Sequence, residues 1–294
     1  MIERVPAPAV HARLRPRGPY SLRLSGRHGS DATRIVRDGA YRATIAAEDG
    51  LERVFAVQEA DGTVAVTADS DAGVDHVRFV LGVDDDHSEF LERFAGDPLL
   101  AEPVRQLRGL RPIRTATVAH ALLRAVAGQL IKASVAREVE RLIVRRATPS
   151  LDGLHAAPTT ADLARFAPAE LRRLGLGDRR GAALVRICRS FDLERLKTLP
   201  TEVVARRLER ERGLGPWSAG VVAIQGLGRY EIPAARDLGL VKLAAALWGR
   251  RVEPEESDAL LVPYGEWAGL AGVYLLAGFH AGLVPLARDS TRAA

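Results

Sequence analysis

The chain reads as an α+β protein, with a small β-rich domain over residues 1–87 followed by an all-helical domain over residues 88–294. Two patterns carry that reading. Up to about residue 82, short runs alternate apolar and polar residues between Asp-Gly pairs, as strands joined by tight turns do. From Ser88 onward, apolar residues recur at helical spacing and prolines punctuate the segments.

In the first part, Tyr20-Ser-Leu-Arg-Leu, Tyr41-Arg-Ala-Thr-Ile and Val64-Ala-Val-Thr alternate and predict strands. Asp38-Gly39, Asp49-Gly50 and Asp61-Gly62 predict the turns. Asp61-Gly62, between Val54-Phe-Ala-Val and Val64-Ala-Val-Thr, is the clearest hairpin. Residues 74–81 fit a strand or a short helix. Asp84-Asp85-Asp86 fits a solvated turn capping the helix that begins near Ser88 better than a carboxylate metal site. Helices are predicted over 88–95, 116–129, 133–147, 160–166, 168–174, 179–190, 201–211, 216–226, 237–248, 254–261 and 266–281. Pro168 and Pro216 fall at first turns, where the missing N–H costs nothing.

Apolar residues make up 47% of the chain, enough for a sizeable core. The single cysteine, Cys188, excludes an intrachain disulfide framework and a four-cysteine metal site. No long apolar leader or run of membrane-spanning length is present, so the expected setting is cytoplasmic and nucleoid-associated, with no membrane partner. The absence of a heptad pattern predicts a monomer. Residues 1–100 hold 12 Arg and no Lys against 17 Asp and Glu, whereas residues 101–294 hold 30 Lys and Arg against 20 Asp and Glu. A basic later segment fits a polyanionic partner. An Arg-rich composition bias accounts for the same numbers, since only three of the 42 cations are lysine.

The most telling stretch is Gly213-Leu214-Gly215-Pro216-Trp217-Ser218-Ala219-Gly220, followed by Pro233-Ala234-Ala235-Arg236-Asp237-Leu238. Two glycines between helices allow close approach and positive φ. The following helix opens with free amides that suit a phosphate. Asp237 precedes an apolar run and so sits at a helix mouth. Taken singly, Gly213 is also a helix C-cap and Asp237 an N-cap.

Together, these segments resemble the helix-hairpin-helix DNA glycosylase superfamily. Arg124-Ala-Val-Ala-Gly-Gln-Leu-Ile131 resembles its early helix, which ends in Gly-Gln, and residues 208–242 resemble its hairpin and catalytic segment. The order of strands then helices resembles the 3-methyladenine DNA glycosylase II group in particular. The resemblance implies excision of a damaged base from double-stranded DNA, most simply an alkylated purine. Asp237 would be the catalytic carboxylate. It implies backbone contacts from Gly213, Leu214, Gly215, Pro216 and Ser218, with Arg212, Arg229 and Arg236 as nearby phosphate candidates. Gln129 and Leu130 fall where the family places its gap-filling loop, with Leu130 as the wedge. Trp217, Val221, Trp267, Tyr264, Tyr274 and Leu276 are the expected pocket walls.

Members that also nick the backbone carry a Lys two residues after the hairpin's last Gly. That position is Trp217 here, so a monofunctional enzyme is expected. No cofactor is implied beyond a structural sodium or potassium ion on the backbone carbonyls of Glu209, Glu211 and Leu214. Arg212 replaces the Pro usual before the Gly pair, which puts that ion in question. Val221 replaces an aromatic residue, Ala268 an Arg and Leu276 a Trp, which weakens the expected preference for cationic bases and leaves hypoxanthine as another candidate. The alternative without chemistry is a hairpin module that binds damaged or bent DNA.

Overall fold

The computed structural model describes residues 9–129 and 132–286. The strands β1 (Val10–Leu14), β2 (Arg34–Arg37), β3 (Ala40–Ala47), β4 (Gly50–Gln58) and β5 (Val64–Ala68) form one antiparallel sheet in the order β1-β5-β4-β3-β2. Asp38 and Gly39 both take positive φ (53° and 80°) to close the β2–β3 turn, the geometry that makes Asp-Gly a hairpin signal. Tyr41, Ala43 and Ile45 share one face of β3 with Val54 and Ala56 of β4 and Val64, Val66 and Ala68 of β5. The helix Asp71–Val80 covers that face through Val77 and Val80. Gly73 lets it lie close, because a methyl group there would sit 2.5 Å from Ala68 Cβ.

Residues 74–81 thus resolve as helix. The alternating run from Tyr20 does not form a strand. It becomes the short helix Leu22–Ser25, with Ser21 Oγ accepting from the Leu24 N–H (3.3 Å) and Gln58 Oε1 accepting from the Leu22 N–H (2.8 Å). A capped turn buries Leu22 as well as a strand would. β1 and the helix Ala101–Gln106 lie outside the expected elements. No single helix among the described residues is long and apolar enough to cross a membrane.

The buried apolar residues form three clusters. One belongs to the sheet and its covering helix. A second surrounds the helix Val118–Gly128, whose neighbours run from Ala133 to Val222. The third joins the segment Phe90–Leu107 to the C-terminal helices Leu238–Trp248 and Ala268–His280. Arg111, 1% exposed, ties the sheet to the helices by donating to the carbonyls of Gly82, Arg17 and Pro19. These carbonyls satisfy its two terminal nitrogens, while its Nε is buried without a hydrogen-bond partner.

The predicted hairpin is present: helix Thr201–Glu209, a turn, then helix Pro216–Val221. The second helix does not continue as a regular α-helix. From Val222 to Leu227 it widens into a π-helix. The Gln225 carbonyl is drawn aside there, accepting from the Thr115 N–H (2.7 Å) and Thr115 Oγ1 (3.1 Å). Such bulges recur at functional sites because they re-aim side chains.

Candidate active site

A cleft of about 1180 Å³ opens where the two helical clusters meet the sheet domain. Trp217, Val221 and Gln225, four residues apart, form one wall. The first turns of the helix Ala133–Ala147 form the facing wall through Ala136, Arg137 and Glu140. Arg124 and Gly128 lie below, Ser30 and Asp31 come from the sheet domain, and Arg236, Asp237 and Leu238 stand at the rim.

Asp237 caps the helix Leu238–Trp248: its Oδ1 accepts from the Gly239 N–H at 2.7 Å. Its Oδ2 accepts from Trp217 Nε1 at 2.7 Å. Each oxygen is gripped by one donor and keeps capacity for a second. The cap role and a chemical role therefore coexist in one side chain. Trp217 is held by Gly128, where a methyl group would lie 2.5 Å from the indole Cη2. The residue before the aspartate, Arg236, takes a left-handed φ of 62°, unusual for a non-glycine residue. Its guanidinium pairs with Glu255 (3.0 Å) and Asp258 (3.2 Å), which holds that conformation and occupies two faces of the expected phosphate ligand.

The hairpin turn is tight. Gly213 has φ 99° and the Leu214 N–H donates to the Glu211 carbonyl (3.0 Å). Gly215 precedes Pro216, and no side chain caps the helix that follows. Gln129 Nε2 donates to the Gly213 carbonyl (3.0 Å) and to Ser218 Oγ (2.9 Å), and Arg180 donates to the Gln129 carbonyl (2.9 Å). Ser218 is buried, so its hydroxyl is committed inside the protein and only its backbone N–H is left for a ligand. Arg186 reaches the same turn, pairing with Glu211 (3.0 Å) and donating to the Arg212 carbonyl. A guanidinium thus already neutralises part of the turn in which a cation on the Glu209, Glu211 and Leu214 carbonyls is expected. Arg229 donates to the Leu196 and Lys197 carbonyls, which ties it to the protein. The wedge candidate Leu130 lies outside the described residues.

Four expected wall residues are elsewhere. Tyr274 is fully buried, its hydroxyl on the Leu107 (3.3 Å) and Leu110 (3.1 Å) carbonyls and its ring beside Phe90. Trp267 packs against Phe90 and His87, and Tyr264 packs against Phe94 with its hydroxyl on Asp97 (3.1 Å). Leu276 packs under the first turn after Asp237, where Gly239 makes room for it: a methyl group on Gly239 would lie 2.5 Å from Leu276 Cδ2. These side chains support the helix that carries the aspartate and do not face the cleft, because the third cluster needs their apolar area.

The polar floor was not anticipated. Arg124 Nη2 donates to Asp31 Oδ2 (2.6 Å) and Glu140 Oε1 (2.7 Å), and its Nη1 donates to Gln225 Oε1 (3.2 Å). His120 Nε2 bonds the same Glu140 oxygen at 2.8 Å. Burial pushes the Glu140 carboxyl up, but Arg124 and the His120 contact outweigh it and bring it from 4.5 down to about 2. The pairing therefore stabilises the fold fully above pH 4.5, and that contribution is lost as pH falls toward 2. Urea midpoints measured from pH 5 to pH 3 are expected to fall, with Glu140 contributing up to about 1.4 kcal/mol per pH unit. A flat profile would show that the pair does not form.

No protein-family model matches the chain. A DNA-3-methyladenine glycosylase of Bacillus subtilis (strain 168) is 26% identical over 213 residues, 69% of this chain and 70% of that protein. A probable bifunctional transcriptional activator/DNA repair enzyme AlkA of Mycobacterium tuberculosis is 29% identical over 256 residues, 79% of this chain and 48% of that protein, so the chain spans about half its length. A 3-methyladenine DNA-glycosylase from Archaeoglobus fulgidus has the same fold, with a TM-score of 0.79 at 22% identity over 92% of this chain and 98% of that one. So does a Clostridium acetobutylicum 8-oxoguanine glycosylase/lyase in complex with double-stranded DNA, with a TM-score of 0.73 at 18% identity over 94% and 99%. With its hairpin and its capping aspartate, the chain is similar in sequence to DNA-3-methyladenine glycosylases and shares the fold of solved DNA glycosylases.

Proposed function

We propose that this protein is a DNA glycosylase of base excision repair that removes an alkylated purine and leaves an abasic site. The observation that carries the reading is Asp237, gripped by Trp217 and Gly239 at the rim of a cleft large enough for a nucleobase. The free amides of Gly215, Trp217 and Ser218 hold a backbone phosphate, so the hairpin grips DNA without reading sequence. The target nucleotide rotates out of the stack at a cost of a few kcal/mol and its base enters the cleft. Its sugar then lies at the rim beside the Asp237 carboxylate. Cleaving the N-glycosidic bond develops positive charge on the sugar, and a fixed carboxylate stabilises that charge as it forms. A second free lone pair on Asp237 orients the attacking water.

The reading includes no strand cleavage. A lyase step needs an amine to attack the sugar, and no described residue lining the cleft is a lysine. The chemistry uses no cofactor. A sodium or potassium ion on the Glu209, Glu211 and Leu214 carbonyls would serve only to tighten the turn. The protein is proposed to act as a monomer.

The test is duplex DNA treated with a methylating agent and incubated with the purified protein. Free methylpurines are expected in the supernatant, and the strand is expected to stay intact until alkali cuts it at the abasic sites. Salt-sensitive DNA binding with no base released would instead support a hairpin module without chemistry.

A further inference from the structure

The floor of the cleft carries an arrangement that bond hydrolysis does not use. The Arg124 guanidinium spans two side chains, donating to Glu140 Oε1 through Nε (3.0 Å) and Nη2 (2.7 Å) and to Gln225 Oε1 through Nη1 (3.2 Å). His120 bonds Glu140 Oε1 as well, and Asp31 takes another Arg124 N–H. On the inner side of this group His120 Nδ1 is buried without a hydrogen-bond partner. Toward the cleft two further atoms are left over: Glu140 Oε2, an acceptor, and Gln225 Nε2, a donor. Neither has a partner among the described residues, and both side chains line the cleft. Neither atom is among the buried atoms without a partner, so both are open to the cleft and available to a ligand.

The placement is as informative as the chemistry. Gln225 lies about two helical turns beyond Trp217 on the same wall, and Arg124 about one turn before Gly128, against which Trp217 packs. A nucleotide whose sugar stands at Asp237 directs its base past Trp217 and Val221, so the far edge of the base meets the leftover acceptor and donor.

Resting on the glycosylase reading, we infer that Glu140 and Gln225 form a specificity-determining pair for bases that carry an exocyclic amine beside a ring-nitrogen acceptor, as adenine derivatives do. The amine donates to Glu140 Oε2 and the ring nitrogen accepts from Gln225 Nε2. In the same pose hypoxanthine sets its carbonyl oxygen against the carboxylate, where lone pairs oppose each other. Arg124 and His120 are positioning residues, fixing the carboxylate and the carboxamide so that neither rotates to suit a keto base.

Free bases test this without requiring the reaction. Calorimetric titration of 3-methyladenine and hypoxanthine is run against the wild type, Gln225→Leu and Glu140→Gln. The wild type is expected to bind 3-methyladenine about tenfold more tightly than hypoxanthine, the usual effect of one hydrogen bond gained or lost at a buried site. Gln225→Leu keeps the Glu140 network and is expected to lose that preference. Glu140→Gln is expected to lose it as well, and its circular dichroism spectrum reports whether the fold is intact. Equal affinity for the two bases, no binding of 3-methyladenine, or an unchanged preference in a folded Gln225→Leu protein overturns the proposal. Base release from methylated duplex by the wild type separates the two ideas. Release without discrimination of free bases leaves the reaction standing and removes the pair, whereas discrimination without release does the reverse.

Discussion

Asp237→Asn is expected to lower base release from methylated DNA by about 10²–10³-fold, the loss typical when one preorganised electrostatic contact to the transition state is removed. The amide is nearly isosteric, and its oxygen still accepts from either Gly239 or Trp217, the two donors that hold the carboxylate. Its nitrogen must then face the other donor, so one of the two contacts is broken. The helix cap is retained in weakened form, at a cost within the ~0.5–2 kcal/mol range of cap losses. Affinity for abasic duplex is expected to stay close to that of the wild type, because the hairpin amides are untouched. Single-turnover release and abasic-duplex binding, measured on the same preparation, separate these effects. Wild-type release rates in the variant would remove the carboxylate from the mechanism.

Gly220→Ala is expected to have an effect as large without touching any reacting group. Gly220 lies on the second hairpin helix, and a methyl group there would come within 2.1 Å of the Pro233 carbonyl oxygen and 2.3 Å of the Ala234 nitrogen. Both atoms are backbone, so the clash cannot be relieved by turning a side chain. The segment leading into Asp237 must move instead. Overpacking of this kind costs about 1–3 kcal/mol of stability. A displacement of roughly 1 Å at a catalytic group costs about 10²-fold in rate. The expected result is a protein with a lower melting temperature and a base-release rate reduced in kcat rather than KM. Calorimetry and single-turnover kinetics check it. An unchanged rate would mean that the hairpin helix and the catalytic segment are not rigidly joined.

Much of the architecture was legible in the sequence because the signals were local. The Asp-Gly pairs at 38–39 and 61–62 place left-handed backbone at Asp38, Gly39 and Gly62, and proline at 216 announces a first turn. Gly213 and Asp237 are legible in the same way, one through a left-handed φ of 99° and the other through a side-chain cap, whereas Gly215 has an ordinary φ of −98° and open space around it. What failed were signals shared by two structures. The alternation from Tyr20 suits a strand, yet a serine cap and the Gln58 carboxamide make a turn of helix equally well satisfied. The aromatic residues at 264, 267 and 274 suited a pocket and a core equally, and burial decided for the core. The polar floor was hidden because its members come from distant places, Asp31 from the sheet domain and Arg124, Glu140 and Gln225 from three different helices. The four-residue spacing of Trp217, Val221 and Gln225 was the one clue to it in the sequence.

The hydrogen bond between Trp217 and Asp237 also gives the molecule an internal optical reporter. Of its three tryptophans, Trp248 is exposed and Trp267 is packed beneath Phe90, while Trp217 alone lines the cleft. Anything that enters the cleft, or changes the charge beside the indole N–H, alters the surroundings of that one ring. On the proposed function, its emission is expected to follow base insertion in real time with no label attached. With Trp248 and Trp267 changed to phenylalanine, the arrival of a flipped nucleotide and the departure of the cleaved base would register as two separate signals.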